Sequence, residues 1–222
     1  MNLLDSRFLY PGDTYAQHFA KSGGYRYAVG IQGSVAQVDH DDPFSITVDA
    51  GEGAAQKTHY VSVTYTNGSF SASPLCLDIN RGDVVLWAAT AAGAPGFAVY
   101  GQSEQDRFDS AEIGMNGMYS HAFGLAGEFE WGDAHVPGLH GTIIVEAHPR
   151  CRTHGERQAY AQVLGKGTVV TIEDGQAYPD KVRITVGQTV FFAVKSGRGV
   201  SIVDKTLLRA FLNPQPLPPG RQ

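Results

Sequence analysis

Residues 74–87 read PLCLDINRGDVVLW. Around them, LCLDI (75–79) and DVVLWAA (83–89) alternate apolar with polar side chains or run apolar, and the Asn-Arg-Gly between them is turn chemistry. The stretch therefore predicts two strands joined by a tight turn. The pattern returns once: Pro74, Leu77, Ile79, Gly82, Val85 and Trp87 match Pro179, Val182, Ile184, Gly187, Val190 and Phe192, each pair 105 positions apart. A second correspondence, 104 positions apart and without a gap, relates Asp5, Ser6, Tyr15, Phe19, Gly23, Tyr25 and Tyr27 to Asp109, Ser110, Tyr119, Phe123, Gly127, Phe129 and Trp131. Matching at a fixed spacing is the mark of an internal repeat.

Further strands are predicted over 59–65, 127–131, 141–147, 168–172, 181–186 and 189–194, where Val, Ile, Thr and aromatic residues cluster. Helix signals are confined to about 156–163 and 205–211. With 27 glycines and little helical periodicity, the chain reads as all-β. The repeats cover different halves of one template: an early half at about 55–100 and 165–203, and a late half at 105–147 and 5–50. Their order along the chain is late, early, late, early. This predicts a whole domain over 55–148, a split domain built from 1–50 plus 165–204, and a tail over 205–222 ending in the proline-rich NPQPLPPGRQ. A half sandwich cannot bury its apolar face, so the ends are expected to join within the chain as a circular permutation, or between chains as a domain swap giving a homo-oligomer or linear array. The tail, expected to be polyproline, could dock on a protein partner.

At 222 residues the chain can bury two cores. Its 17 basic and 22 acidic residues give a formal charge of −5, with no basic stripe interleaved with aromatics, which argues against nucleic acid. No stretch approaches the roughly 20 apolar residues of a membrane span, and MNLLDSRFLYPGD lacks the features of a signal peptide. The chain is thus expected to be soluble, without a standard secretion signal. Cys76 reads as a buried strand thiol and Cys151, in HPRCRTH, as a linker thiol.

PLCLDINRGDVVLW, RFDSAEI, YSHAFGLAGEFEW and GLHGTIIVE, in that order, resemble the cupredoxin family of plastocyanin and azurin. The resemblance implies Greek-key β-sandwiches and, in many members, a type 1 copper held by two imidazoles, a thiolate and a weak axial ligand. Carried onto this sequence, the first imidazole position falls on Phe97, the thiolate position on Asp133 and the axial position near Leu139. In the split copy the first two fall on Val200 and Val29. No thiolate is present in either set, so blue copper and its electron transfer are not expected.

Other metal sites remain open. Asp133, His135 and His140, within DAHVPGLH, combine a carboxylate and two imidazoles that suit zinc or copper(II). His148, Cys151 and His154 have chelating spacing in a polar linker, and Asp39, His40, Asp41 and Asp42 cluster in an acidic loop. His121, in YSHAF, reads as a packing histidine. No nucleophile elbow, phosphate loop or paired carboxylates occur. The sequence therefore supports a non-catalytic structural or interaction protein that self-assembles, with a metal-binding protein or small oxidase using Asp133, His135 and His140 as the alternative.

Overall fold

The structure, a computed structural model, describes residues 3–31, 44–51, 55–90 and 93–212, with the backbone alone at 209–212. The acidic loop Asp39–Asp42 and the NPQPLPPGRQ tail lie outside the described residues.

Seventeen strands and two helices follow one another among these residues. First come β1 (Asp13–His18), β2 (Gly23–Gly30) and β3 (Phe44–Asp49). Then follow β4 (Thr58–Thr66), β5 (Ser69–Ser73), β6 (Cys76–Asn80), β7 (Val84–Ala89), β8 (Ala98–Gln102) and β9 (Arg107–Asp109). The second series starts with β10 (Gly117–Ala122), β11 (Gly127–Asp133) and β12 (His140–Glu146). Helix α1 (His154–Leu164) separates these from β13 (Thr168–Glu173), β14 (Gln176–Tyr178), β15 (Lys181–Thr185), β16 (Thr189–Val194) and β17 (Ile202–Asp204), and α2 (Lys205–Leu212) comes last.

An eight-stranded sheet, ordered β14-β13-β16-β10-β1-β7-β4-β5, runs through the molecule. A five-stranded sheet, β6-β3-β2-β8-β9, faces one half of it, and a four-stranded sheet, β15-β12-β11-β17, faces the other. The all-β expectation holds. In the first sandwich Trp87 stacks on Tyr15 and Phe108, at 5.6 and 5.4 Å, and meets Tyr27 edge-on. In the second, Phe192 stacks on Tyr119 and takes Trp131 edge-on at 5.1 Å. Buried aromatics of this size dominate the energetics of such a core.

The halves meet differently from the expected 55–148 and 1–50 plus 165–204. β1 pairs with β7, β2 with β8 and β3 with β6, so residues up to 50 are completed by 58–109. β10 pairs with β16, β11 with β17 and β12 with β15, so 117–146 are completed by 168–204. Tyr27 accordingly packs on Phe44 and Trp87, not on the 165–203 segment. The two late halves are chemically alike, and so are the two early halves, so matching residues cannot say which joins which. Each half here closes on the one that follows it in the chain, and short loops carry the smaller closure entropy. Among the described residues each half pairs with another half of the same chain.

The sandwiches are fastened twice. β1 and β10 pair antiparallel with Tyr15 opposite Tyr119, Thr14 opposite Ser120 and Ala16 opposite Met118, so residues 104 apart exchange places across a pseudo-dyad through the tyrosines. The segments before these strands also cross. Asp5 bridges Val203 in the second sandwich before Leu9 bridges Phe97 in the first. Conversely, Asp109 pairs with Tyr100 in the first sandwich before Ile113 bridges Val200 in the second. The repeated Asp-Ser explains the geometry. Ser6 Oγ accepts from Ile202 N at 3.0 Å, as Ser110 Oγ accepts from Val99 N at 2.9 Å, which satisfies a buried strand amide in each case.

The linker 148–164 is largely ordered as α1. Thr153 and Glu156 form a capping box, Tyr160 donates its hydroxyl to Val186 O, and Gln188 Nε2 donates to Val163 O and Lys166 O. Cys76 is exposed, not buried: Leu77 and Ile79 turn inward on β6, which places Cys76 beside Asp78 on the outer face. Cys76 and Cys151 are both free thiols.

Candidate functional site

Between β11 and β12 the loop through Asp133, His135 and His140 borders a hollow of about 420 Å³ that is also lined by Arg7, Lys205 and Leu208. Its other side borders a second hollow of about 360 Å³, between Leu139, Ile172, Arg198 and Val200. The structure thus brings the three candidate ligands to one loop. They do not converge. Asp133 is buried, and its Oδ1 accepts from Ser201 N at 2.9 Å and His135 N at 3.2 Å, while Oδ2 accepts from Val136 N at 3.2 Å. A carboxylate engaged by three amides is the anchor of a turn. His140 is exposed, and its Nδ1 donates to Gly138 O at 2.8 Å. Among the described residues no three His, Cys, Asp or Glu side chains gather as a metal cluster.

The ligand positions implied by the resemblance also regroup. Phe97 lies with Val29 in the first sandwich, since β2 and β8 pair there and Leu9 bridges Phe97. Val200 lies with Asp133 in the second, through the adjacent Ser201 amide. Phe97, Val200 and Leu139 are all buried, and Val29 is partly buried against the core. Where the family places donors, this chain packs hydrocarbon, apart from the carboxylate spent on the loop.

His148, Cys151 and His154 are not brought together. His148 packs edge-on against Tyr160 at 4.2 Å, and the Cys151 thiol reaches Glu156 O at 3.7 Å.

A polar cluster that sequence reading missed lies inside the shared sheet. Asp13 is 2% exposed; its Oδ1 accepts from His121 Nδ1 at 2.5 Å and from the Tyr119 hydroxyl at 3.1 Å, and its Oδ2 accepts from Tyr10 N at 2.9 Å. Burial, reinforced by the Asp13 charge, pushes the Tyr119 hydroxyl well above its ordinary pKa. His121 does pack, against Phe123 at 4.6 Å, but it also joins the sandwiches through Asp13. Its Nε2 is buried without a hydrogen-bond partner among the described residues. The cluster joins β1 to β10 through the Asp13–His121 and Asp13–Tyr119 hydrogen bonds.

Compared with known proteins, the chain matches no protein-family model, no curated protein and no solved structure. No helix among the described residues is long and apolar enough to cross a membrane.

Proposed function

We propose that this chain is a non-catalytic structural or interaction protein, its two sandwiches cupredoxin-like in architecture and without the copper chemistry, which works by associating with further copies of itself. The observation that carries this reading is the replacement of donors at the implied ligand positions: Phe97, Val29 and Val200 are apolar, and Asp133 is committed to backbone amides. A soft-metal site needs free donors converging on one point. The buried polar cluster around Asp13 binds strand to strand.

The alternative, a copper or zinc protein or small oxidase, has in its favour that Asp133, His135 and His140 line one hollow. Elemental analysis of protein purified without chelators, followed by titration with Zn²⁺ and Cu²⁺, separates the two. The expected result is no stoichiometric metal and no intense thiolate-to-copper absorption. One metal per chain, lost in His135→Ala or His140→Ala, would replace this reading with the alternative.

A further inference from the structure

The eight strands of the shared sheet contain no Lys or Arg, and of their two acidic residues Asp13 points inward and Glu173 stands at a strand end. Burial alternates along β7 and β16, and Tyr15, Val85, Trp87, Tyr119, Val190 and Phe192 face the cores, so their neighbours point to the opposite face, where Thr14, Leu86, Met118 and Phe191 are partly exposed and the small Ala16 and Ser120 are themselves buried. The ladder registers align those outward residues in rows. Across six strands, one row runs Thr171, Ala193, Met118, Ala16, Leu86, Tyr60. The adjacent row runs Val169, Phe191, Ser120, Thr14, Ala88, Ser62. The pseudo-dyad through Tyr15 and Tyr119 exchanges the two rows, with Leu86 corresponding to Phe191 and Tyr60 to Val169.

The other two outer faces are of a different kind. The five-stranded sheet exposes Arg26, Asp49, Asp78 and Arg107, and the four-stranded sheet exposes Glu128, Glu130, Glu146 and Arg183. An antiparallel sheet with one solvated face normally turns polar side chains outward. Two sheets here turn charged residues outward, whereas the rows of the largest mix uncharged Thr and Ser with the apolar Leu86, Phe191 and Val169. Tyr60 is 68% exposed and Val169 50%.

We infer that this face is where two copies of the chain meet, sheet against sheet. This rests on the self-associating function proposed above and gives it a surface. Eight strands about 4.8 Å apart and about five residues deep present roughly 650 Å² per copy. Two copies would then bury about 1,300 Å², within the range of specific interfaces. Charge selects the partner. On a chain of formal charge −5, the other faces carry acidic residues into any approach, whereas this one brings two copies together without burying an ion. A two-fold contact joins the same patch of both copies, and the pseudo-dyad gives this patch matching rows on its two sides. Two such sheets pack with their strands about 30° apart.

The test is mass in solution by light scattering and sedimentation over a hundredfold concentration range. The expected result is twice the mass of one chain, falling to a single chain on dilution. Leu86→Lys with Phe191→Lys places two cations in the centre of each face and should weaken association about a hundredfold or more. Thr47→Lys, on the outer face of the five-stranded sheet, should leave it unchanged. Hydroxyl-radical footprinting of the wild type needs no variant: Tyr60 and Met118 should become protected as concentration rises, while Met115, 61% exposed and outside the face, should not. A single-chain mass throughout, an undiminished dimer in a folded double variant, or labelling of Tyr60 and Met118 that does not change with concentration would overturn the inference. A dimer that also binds stoichiometric metal would retain the interface and overturn the non-metal reading alone.

Discussion

Asp13→Ala removes one acceptor from three donors that the fold has sealed away from water. The carboxylate is 2% exposed and takes hydrogen bonds from His121 Nδ1, the Tyr119 hydroxyl and the Tyr10 amide. An orphaned buried donor costs about 1–3 kcal/mol, and breaking a buried ionisable pair from one side costs about 3–5 kcal/mol. Taking about 4 kcal/mol, and an unfolding entropy near 2.1 cal/mol/K per residue over 222 residues, the melting temperature should fall by about 9 °C for a cooperative transition. The assay is calorimetry, with urea unfolding followed by circular dichroism, on Asp13→Ala, His121→Ala and the double variant. Because the residues sit on β1 and β10, the strands that join the sandwiches, the effects should be strongly non-additive: once one partner is gone, removing the other costs less than in the wild type. A fall of less than about 2 °C in Asp13→Ala, or costs that simply add, would refute the reasoning and leave β1 and β10 held by their backbone ladder alone.

Other outcomes follow from the same structure. Burial favours the neutral form of Asp83, but the bond to His59, the amides of Lys57 and Asn80 and the His59 charge outweigh it and hold its pKa below the ordinary value. That stabilisation is present above about pH 4 and is lost as pH falls through the lowered value, so the gap in melting temperature between wild type and Asp83→Asn should narrow on acidification; a pH-independent gap would count against it. Gly141→Ala would place a methyl 2.6 Å from Asp180 O and 2.8 Å from the Trp131 ring, costing about 1–3 kcal/mol or more by chemical denaturation, whereas Gly24→Ala, with open space around it, should change stability by less than about 1 kcal/mol. Ser6→Ala should destabilise by about 1–3 kcal/mol because Ile202 N loses its acceptor, and hydrogen exchange should quicken at Ile202 in the second sandwich, not in the first. Asp133→Ala should loosen the 133–140 loop, read as faster exchange at the Val136 and Ser201 amides, without changing any metal content.

The sequence by itself determined the local structure. Strands at 59–65, 181–186 and 189–194 appear within a residue or so of the expected limits, because alternation and β-branched residues act over a few positions. The two helices, α1 and α2, cover the helix signals at about 156–163 and 205–211. The loop carrying Asp133, His135 and His140 was legible as a candidate, since the residue types are local. What they do there was not, because the amides of Ser201 and Val136 reach Asp133 only in the folded chain. Tertiary structure alone decided which half completes which, since the repeats make alternative partners chemically equivalent and only chain closure tells them apart. It alone brought Asp13 to His121 across 108 positions. It also revealed the uncharged face, because VVLWAA, TVFFAV and GMYSHA show outward and inward residues only once their order in the sheet is known. Pairing between distant strands is a property of the whole chain, and no window of sequence contains it.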